Sequence, residues 1–119
     1  MKKTLKISEV LEYYDVPQLF TAQDTDGFNY LCLCVDVDDN GDLNYISAQL
    51  SQYQLDSFMN GDMELTYILR FAEQKGNLYI VTFIDEENVT AKPFNGRLTS
   101  KILPEKPYYY NQNVEMELA

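Results

Sequence analysis

The chain of 119 residues has no histidine and no tryptophan, only two cysteines, and nine lysines and arginines against nineteen aspartates and glutamates. Each shortage excludes something. Without histidine the commonest general acid and base is missing, and so is the imidazole that most often ligates zinc or copper. The cysteines, Cys32 and Cys34, stand two apart in "YLCLCVDV". That stretch reads as a strand, so both side chains point to one face. Cα atoms about 6.5 to 7 Å apart along a single strand lie at the limit of disulfide geometry. With no further soft ligand they make no zinc site either, and they read as two reduced core thiols. No apolar run approaches the roughly 20 residues that span a bilayer. The opening "MKKTLKISEV" has lysines but no apolar segment and no small-residue cleavage site behind them, so the expected location is the cytoplasm.

The shortage of basic residues leaves a net charge of −10. Such a chain repels phosphate backbones, so direct nucleic-acid binding is not expected. Acidity suits solubility, and it suits a partner protein with a basic surface drawn in over a distance. No nucleophile elbow, phosphate loop or dinucleotide glycine fingerprint occurs. The carboxylates fall on expected turns, without apolar surroundings to shift their pKa. These absences argue against catalysis and against any cofactor. They leave a non-catalytic interaction module as the leading function class, with a homo-oligomer left open.

What is present organises into one domain. "QLFTAQ" reads as a strand, "DTDG" as a turn, "FNYLCLCVDVD" as a long strand, "NG" as a hairpin turn and "DLNYISAQL" as a third strand. A two-residue Asn40–Gly41 turn sets Val35 opposite Ile46 and Leu33 opposite Ala48, and a four-residue loop over 24–27 sets Phe20 opposite Leu31. Both hairpins then place Phe20, Ala22, Leu31, Leu33, Val35, Ile46, Ala48 and Leu50 on one apolar face. Upstream, "KISEVLEYYDVPQLF" has no clear period, and any helix there should end before Pro17. Downstream, Ser51 is the expected cap of a short helix that stops at Asn60–Gly61. Asp62 is the expected cap of a second, with Leu65, Ile68, Leu69 and Ala72 as its apolar stripe and Gly76 as its terminator. "NLYIVTFI" and "VTAKPF" around "DEEN" read as a C-terminal hairpin. The expected architecture is α+β: a single small domain over 1–104, an antiparallel meander sheet with two short helices packed on one face, and an extended or frayed acidic tail over 105–119.

"EYYDVPQLFTAQDTDGFNYLCLCVD", followed by "LSQYQLDSFMNGDMEL" and "ILPEKPYYY", resembles an uncharacterised bacterial domain family. The residues that carry the resemblance are Tyr14, Asp15, Pro17, Leu19, Phe20, Ala22, Asp24, Gly27, Tyr30, Leu31, Gly61 and Leu65. It covers roughly the first seventy positions. The resemblance implies a fold with an N-terminal meander and implies no activity.

Two sets of residues are candidates for binding. Tyr30 and Tyr45 fall on the sheet face opposite the expected core, beside Cys32, Cys34 and Ser47. Ten tyrosines is a high count for the length, and tyrosine suits a surface that is apolar in the middle and wet at the rim. The second set is Tyr108, Tyr109 and Tyr110. In an extended segment they cannot all point inward, because successive side chains alternate. The acidic turn Asp85, Glu86, Glu87 would attract a basic partner.

The alternative function class is a calcium-binding protein or small metal-dependent enzyme that uses "DVDDNGD". Asp36, Asp38, Asn40 and Gly41 match positions one, three, five and six of a calcium loop, and Asp42 adds a carboxylate. The twelfth position is Ser47, which cannot supply the bidentate carboxylate, and both flanks read as strands. Asn-Gly between apolar runs is explained by the positive φ angles of a type I′ turn. Replacing Asp38 and Asp42 together should therefore leave the melting temperature unchanged or slightly raised, since like charges at one tip repel. Millimolar calcium should raise it little in the unaltered protein. A saturable rise of several degrees that the double variant lacks would establish a calcium loop.

Overall fold

A computed structural model describes residues 3–37, 43–100 and 102–110, with the backbone alone at 36, 37 and 43. The described residues form six strands and two helices: β1 (Lys3–Tyr14), β2 (Val16–Gln23), β3 (Asn29–Val37), β4 (Leu43–Leu50), α1 (Gln52–Met59), α2 (Leu65–Lys75), β5 (Leu78–Phe83) and β6 (Asn88–Pro93). All neighbouring strands are antiparallel, as the meander reading requires. The sheet is not open, however: β1 pairs with both β2 and β6 and closes a barrel in sequence order. That corrects the expectation of an open sheet. Among the described residues no helix is long and apolar enough to cross a membrane.

The stretch without a clear period is β1. Its ladder to β2 shifts register between Ile7 and Glu9, between Val10 and Glu12, and between Glu12 and Tyr13. The first two are extra residues in β1, Ser8 and Leu11, and each moves the following residues of β1 to the other face; the third is an extra residue in β2, Gln18. Period-two alternation is therefore erased from the sequence while the strand persists. Pro17 stands near the start of β2, a position strands tolerate.

Register decides which side chains enter the barrel. The loop between β2 and β3 holds five residues, not four, because Gln23 pairs with Asn29. Asp24 sets that length. Its backbone N–H donates to the Phe28 carbonyl (3.1 Å), and its carboxylate accepts the N–H groups of Asp26 (2.9 Å) and Phe28 (3.0 Å). Gly27 takes the positive φ of 86° that the tight return needs. Phe28 is thereby left in the loop, 53% exposed. Phe20 faces Cys32, not Leu31, and the one-residue slip turns Phe20 and Ala22 to the opposite face from the one expected. Between β3 and β4 the pairs are Leu33 with Ile46 and Leu31 with Ala48, two residues from the expected register, with a bulge between Cys34 and Asp36. A slip of two preserves the face. Leu31, Leu33, Val35, Ile46, Ala48 and Leu50 do share one apolar surface.

Two cores result. Inside the barrel lie Leu5, Phe20, Ala22, Tyr30, Cys32, Tyr45, Val81, Val89 and Ala91, with Tyr79 and Phe83 packed beside them. Phe20, Tyr45 and Phe83 meet edge-on or tilted at 5.2 to 5.5 Å between ring centres, each pair adding about 0.5 to 1.5 kcal/mol beyond its buried area. Outside, Leu19, Leu31, Ile46, Ala48 and Leu50 are covered by Phe58 of α1 and by the stripe Leu65, Ile68, Leu69 and Ala72 of α2. Ser51 caps α1 in a capping box with Gln54. Gly61 then ends it, with Asp62 N–H on the Ser57 carbonyl and Gly61 N–H on that of Phe58. The N-cap of α2 is Glu64, not Asp62, and it caps without a side-chain hydrogen bond. Instead, the Leu65 N–H donates to the carbonyl of Tyr108 at 3.0 Å.

That bond belongs to a strap formed by residues 94–100 and 102–110. Phe94, Leu98, Ile102, Leu103, Tyr108 and Tyr110 pack on the outer core, and Phe58 lies stacked against Tyr108 and Tyr110. Packing thus continues past residue 104, where the tail was expected to begin. Residues 111–119 lie outside the described residues.

Phe20 and Phe28 test the register directly. Phe20→Ala should cost about 3 to 5 kcal/mol, as for a large aromatic removed from a packed core. Phe28→Ala should stay within about 0.5 kcal/mol, as for an exposed position. Chemical denaturation of both variants measures the contrast, and similar losses would mean the strands pair otherwise.

Candidate functional site

Meander topology separates the acidic turns. The end of β1, the end of β3 at Val37, the start of β4 at Leu43 and the turn from β5 to β6 lie at one end of the barrel. Lys3, the loop at 24–28, the start of α1 and Pro93 lie at the other. The turn holding Asp85, Glu86 and Glu87 therefore shares an end with the β3–β4 connection. Asp38, Asn40 and Asp42 of that connection, and the side chain of Asp36, lie outside the described residues. Among the described residues no group of three or more potential metal ligands occurs.

Asp85 is occupied in holding its turn. Its Oδ1 accepts the N–H of Glu87 (2.8 Å) and of Asn88 (2.9 Å), and it accepts from the Asn88 side chain at 3.1 Å. The Glu87 N–H and the Asn88 amide hold its carboxyl below the usual range. Glu86 and Glu87 are exposed, and Ile84 beside them is 56% exposed. At the same end the β1–β2 hairpin turns at Asp15, whose φ of 63° is one an aspartate tolerates. Tyr13 and Tyr14 flank it, 68% and 76% exposed, and Tyr13 donates from its hydroxyl to the Asp15 carbonyl at 3.1 Å. Tyr13, Tyr14 and Asp15 thus form the tip of the β1–β2 hairpin, while Ile84, Glu86 and Glu87 form the tip of the β5–β6 turn, which meets β1 at Ile7, roughly 20 Å back along the strand.

The tyrosines expected on an open face are elsewhere. Tyr30 and Tyr45 are fully buried inside the barrel, because closure by β1 and β6 makes that face the interior. Tyr45 donates to the Pro17 carbonyl at 2.6 Å and Tyr30 to Asp24 Oδ2 at 2.9 Å. Burial first, then for Tyr30 the Asp24 carboxylate, pushes both hydroxyls above their ordinary pKa. Cys32 is buried beside Ser47, Sγ to Oγ 3.3 Å, and burial pushes its thiol up to about 12, so no thiolate is available as a nucleophile. In the strap, Tyr108 donates to Glu12 at 2.7 Å and Tyr110 packs on Phe58. Tyr109 between them is half-buried.

At the opposite end, Asp24 Oδ2 lies 3.9 Å from Lys3 Nζ, and the Asp24 side chain is 4% exposed. Lys3 also stands 5.7 Å over the Tyr79 ring. A cavity of about 340 Å³ opens beside Lys3, Thr4, Asp24, Thr25 and Asp26. A second cavity, about 360 Å³, runs between the outer face of β1–β3 and α1. Along it Gln23 donates to Asn29, Asn29 to Gln52 and Gln52 to Asp56, at 2.9, 3.1 and 2.9 Å. These amides satisfy one another, and no described buried side-chain polar atom lacks a partner. No nucleophile stands beside a base at either place. No family model, curated protein or solved structure matches the chain.

Reading the sequence missed Val10, Tyr13 and Tyr14, the exposed side chains of β1. The adjacent pair "YY" beside a turn-forming aspartate was the available signal. It carried no weight while the segment had no assigned strand.

Asp24 gives a pH dependence with a fixed sign. Desolvation raises its pKa, but the Tyr30 hydroxyl, the Phe28 and Asp26 N–H groups and Lys3 together leave it below the ordinary value of 3.8. A carboxyl lowered by folding stabilises fully above the unfolded pKa, and that contribution is lost as pH falls through the folded one. Asp24→Asn should cost about 1 to 2 kcal/mol at neutral pH. The gap in melting temperature between variant and parent should narrow as pH drops below 4. A gap that widens in acid would remove Asp24 from this role.

Proposed function

We propose that the protein is a non-catalytic interaction module, of the immunity, antitoxin-like or inhibitor kind, that binds a basic surface on a protein partner in the cytoplasm. Two observations carry this reading: Tyr13 and Tyr14 are exposed around Asp15 at the tip of the β1–β2 hairpin, and Ile84 is exposed with Asp85, Glu86 and Glu87 on the β5–β6 turn, roughly 20 Å back along β1. Rigid aromatic area supplies affinity at such a surface, and charges around it supply steering and on-rate. The net charge of −10 extends that steering beyond the contact itself.

The absence of a nucleophile–base pair among the described residues supports binding over catalysis. So does the state of the buried polar groups, which are engaged with one another rather than aimed into a cavity. The polar plug at Lys3, Asp24 and Tyr30 ties the loop at 24–28 to β1 and serves the fold.

Affinity capture followed by binding kinetics tests the reading. The partner's contact surface should be basic, and association should slow steeply as salt rises. Glu86→Gln with Glu87→Gln should slow association several-fold at low salt with little change in dissociation, whereas Tyr14→Ala should mainly speed dissociation. An acidic partner, or kinetics indifferent to salt and to all three changes, would overturn it.

A further inference from the structure

The barrel is closed along only part of β1. Lys3 to Lys6 pair with Ala91 to Asn88, and the last contact is Ile7 N–H to the Glu87 carbonyl at 2.8 Å. Beyond it β1 continues to Tyr14, paired on one side with β2. Among the described residues no strand lies on the far side of Glu9 to Tyr14. Among the described residues β1 therefore keeps an open edge about six residues long, or roughly 20 Å at strand rise. Unpaired N–H and C=O groups along such an edge are a template for another strand.

We propose that this edge, from Glu9 to Tyr14, is where an extended, lysine- or arginine-bearing segment of a protein partner adds a strand to the sheet. The charge of the occupant rests on the basic-partner reading above, and the mode of binding is new. Three observations favour this occupant. Val10, Tyr13 and Tyr14 are 43%, 68% and 76% exposed, so apolar area waits along the edge where a neighbouring strand would cover it. Glu9 lies on the same segment, exposed, and forms no ion pair among the described residues. The position an added strand would take continues the line of β6 past its first residue, so one end of it comes beside the turn holding Glu86 and Glu87. Exposed carboxylates thus stand at the Ile7 end of the edge, Glu9 on it and Glu86 and Glu87 beside it, while Glu12 further along accepts the Tyr108 hydroxyl at 2.7 Å.

A second copy of the chain is the less favoured occupant. Antiparallel pairing of two such edges about their middle would bring Glu9 of each copy against Glu12 of the other, in molecules each already carrying −10. The bulges at Ser8 and Leu11 make the edge irregular, which also works against a long self-paired ladder. A short added strand needs fewer consecutive bonds. In that mode main-chain hydrogen bonds supply affinity and alternate side chains supply specificity.

The test uses the full chain, isotopically labelled, and two probes. One is a short acetylated peptide of alternating lysine and valine. The other is the same peptide N-methylated at every residue, with the same charge and no backbone N–H. The first should shift the amide signals of residues 9–14 saturably and slow their hydrogen exchange, and the methylated peptide should bind about tenfold more weakly or worse. Glu9→Lys, an exposed change, should weaken the first peptide several-fold. Equal binding of both peptides would overturn strand addition and leave an electrostatic basic-partner surface standing. Failure of both to bind at low salt would count against both readings. A concentration-dependent dimer that protects the same amides would make a second copy the occupant and overturn the proposal.

Discussion

Asp24 fixes more of this structure than any other side chain. Its Oδ1 takes two loop N–H groups, and its Oδ2 takes the Tyr30 hydroxyl and faces the Lys3 ammonium. Those contacts reach β1 through Lys3 and β3 through Tyr30, while Asp24 itself follows the last residue of β2. They make the loop one residue longer than the four expected from the sequence, and that residue decides that Phe20 and Ala22 point inward. Inward placement of Phe20 lets it meet Tyr45 and Phe83, and the aromatic cluster fills a barrel too narrow to stay hollow. A charged group satisfied by backbone donors on one oxygen and side chains on the other thus sets the register from which the interior follows.

Elements whose signals are local were legible in the sequence. Ser51 and Gln54 form a cap box within four residues, Gly61 and Gly76 end their helices by conformation, and the stripe from Leu65 to Ala72 needs only its own period. The β5–β6 hairpin announced itself through alternation around an acidic turn. What could not be read depended on partners distant in the chain. Closure requires Lys3 to Lys6 to meet Asn88 to Ala91, and nothing in either segment names the other. Bulges in β1 removed the alternation that would have marked it as a strand. Without β1 the meander has an open face, and alternation alone sets Tyr30 and Tyr45 on it. Parity explains the rest: a slip of two residues between β3 and β4 left the apolar face intact, and a slip of one between β2 and β3 inverted it.

The candidate surface was half legible. The acids of the 85–87 turn stood out by composition, but their position at the same end as Tyr13 and Tyr14 follows from strand direction around the barrel. The tyrosines chosen from sequence were the buried ones, because tyrosine serves both as strand former and as contact residue. Burial separates the two uses. Inside the barrel each tyrosine hydroxyl that is fully enclosed finds an acceptor, Asp24 for Tyr30 and the Pro17 carbonyl for Tyr45. At the tip, the Tyr14 ring stands in solvent, and a ring so placed adds nothing to the fold it is attached to.

Charge and packing also divide the molecule by region. The two described ion pairs, Lys3 with Asp24 and Arg70 with Glu73, hold the loop at 24–28 and the contact between α2 and Leu98. Both serve segments that the sheet ladder alone does not secure. Among the described residues the carboxylates at the opposite end form no ion pair. Asp85 holds its turn there, and Glu86 and Glu87 make no described side-chain hydrogen bond. These carboxylates lie at one end of the β1 edge from Glu9 to Tyr14, the edge proposed above to take a partner strand, and the exposed rings of Tyr13 and Tyr14 lie at its other end.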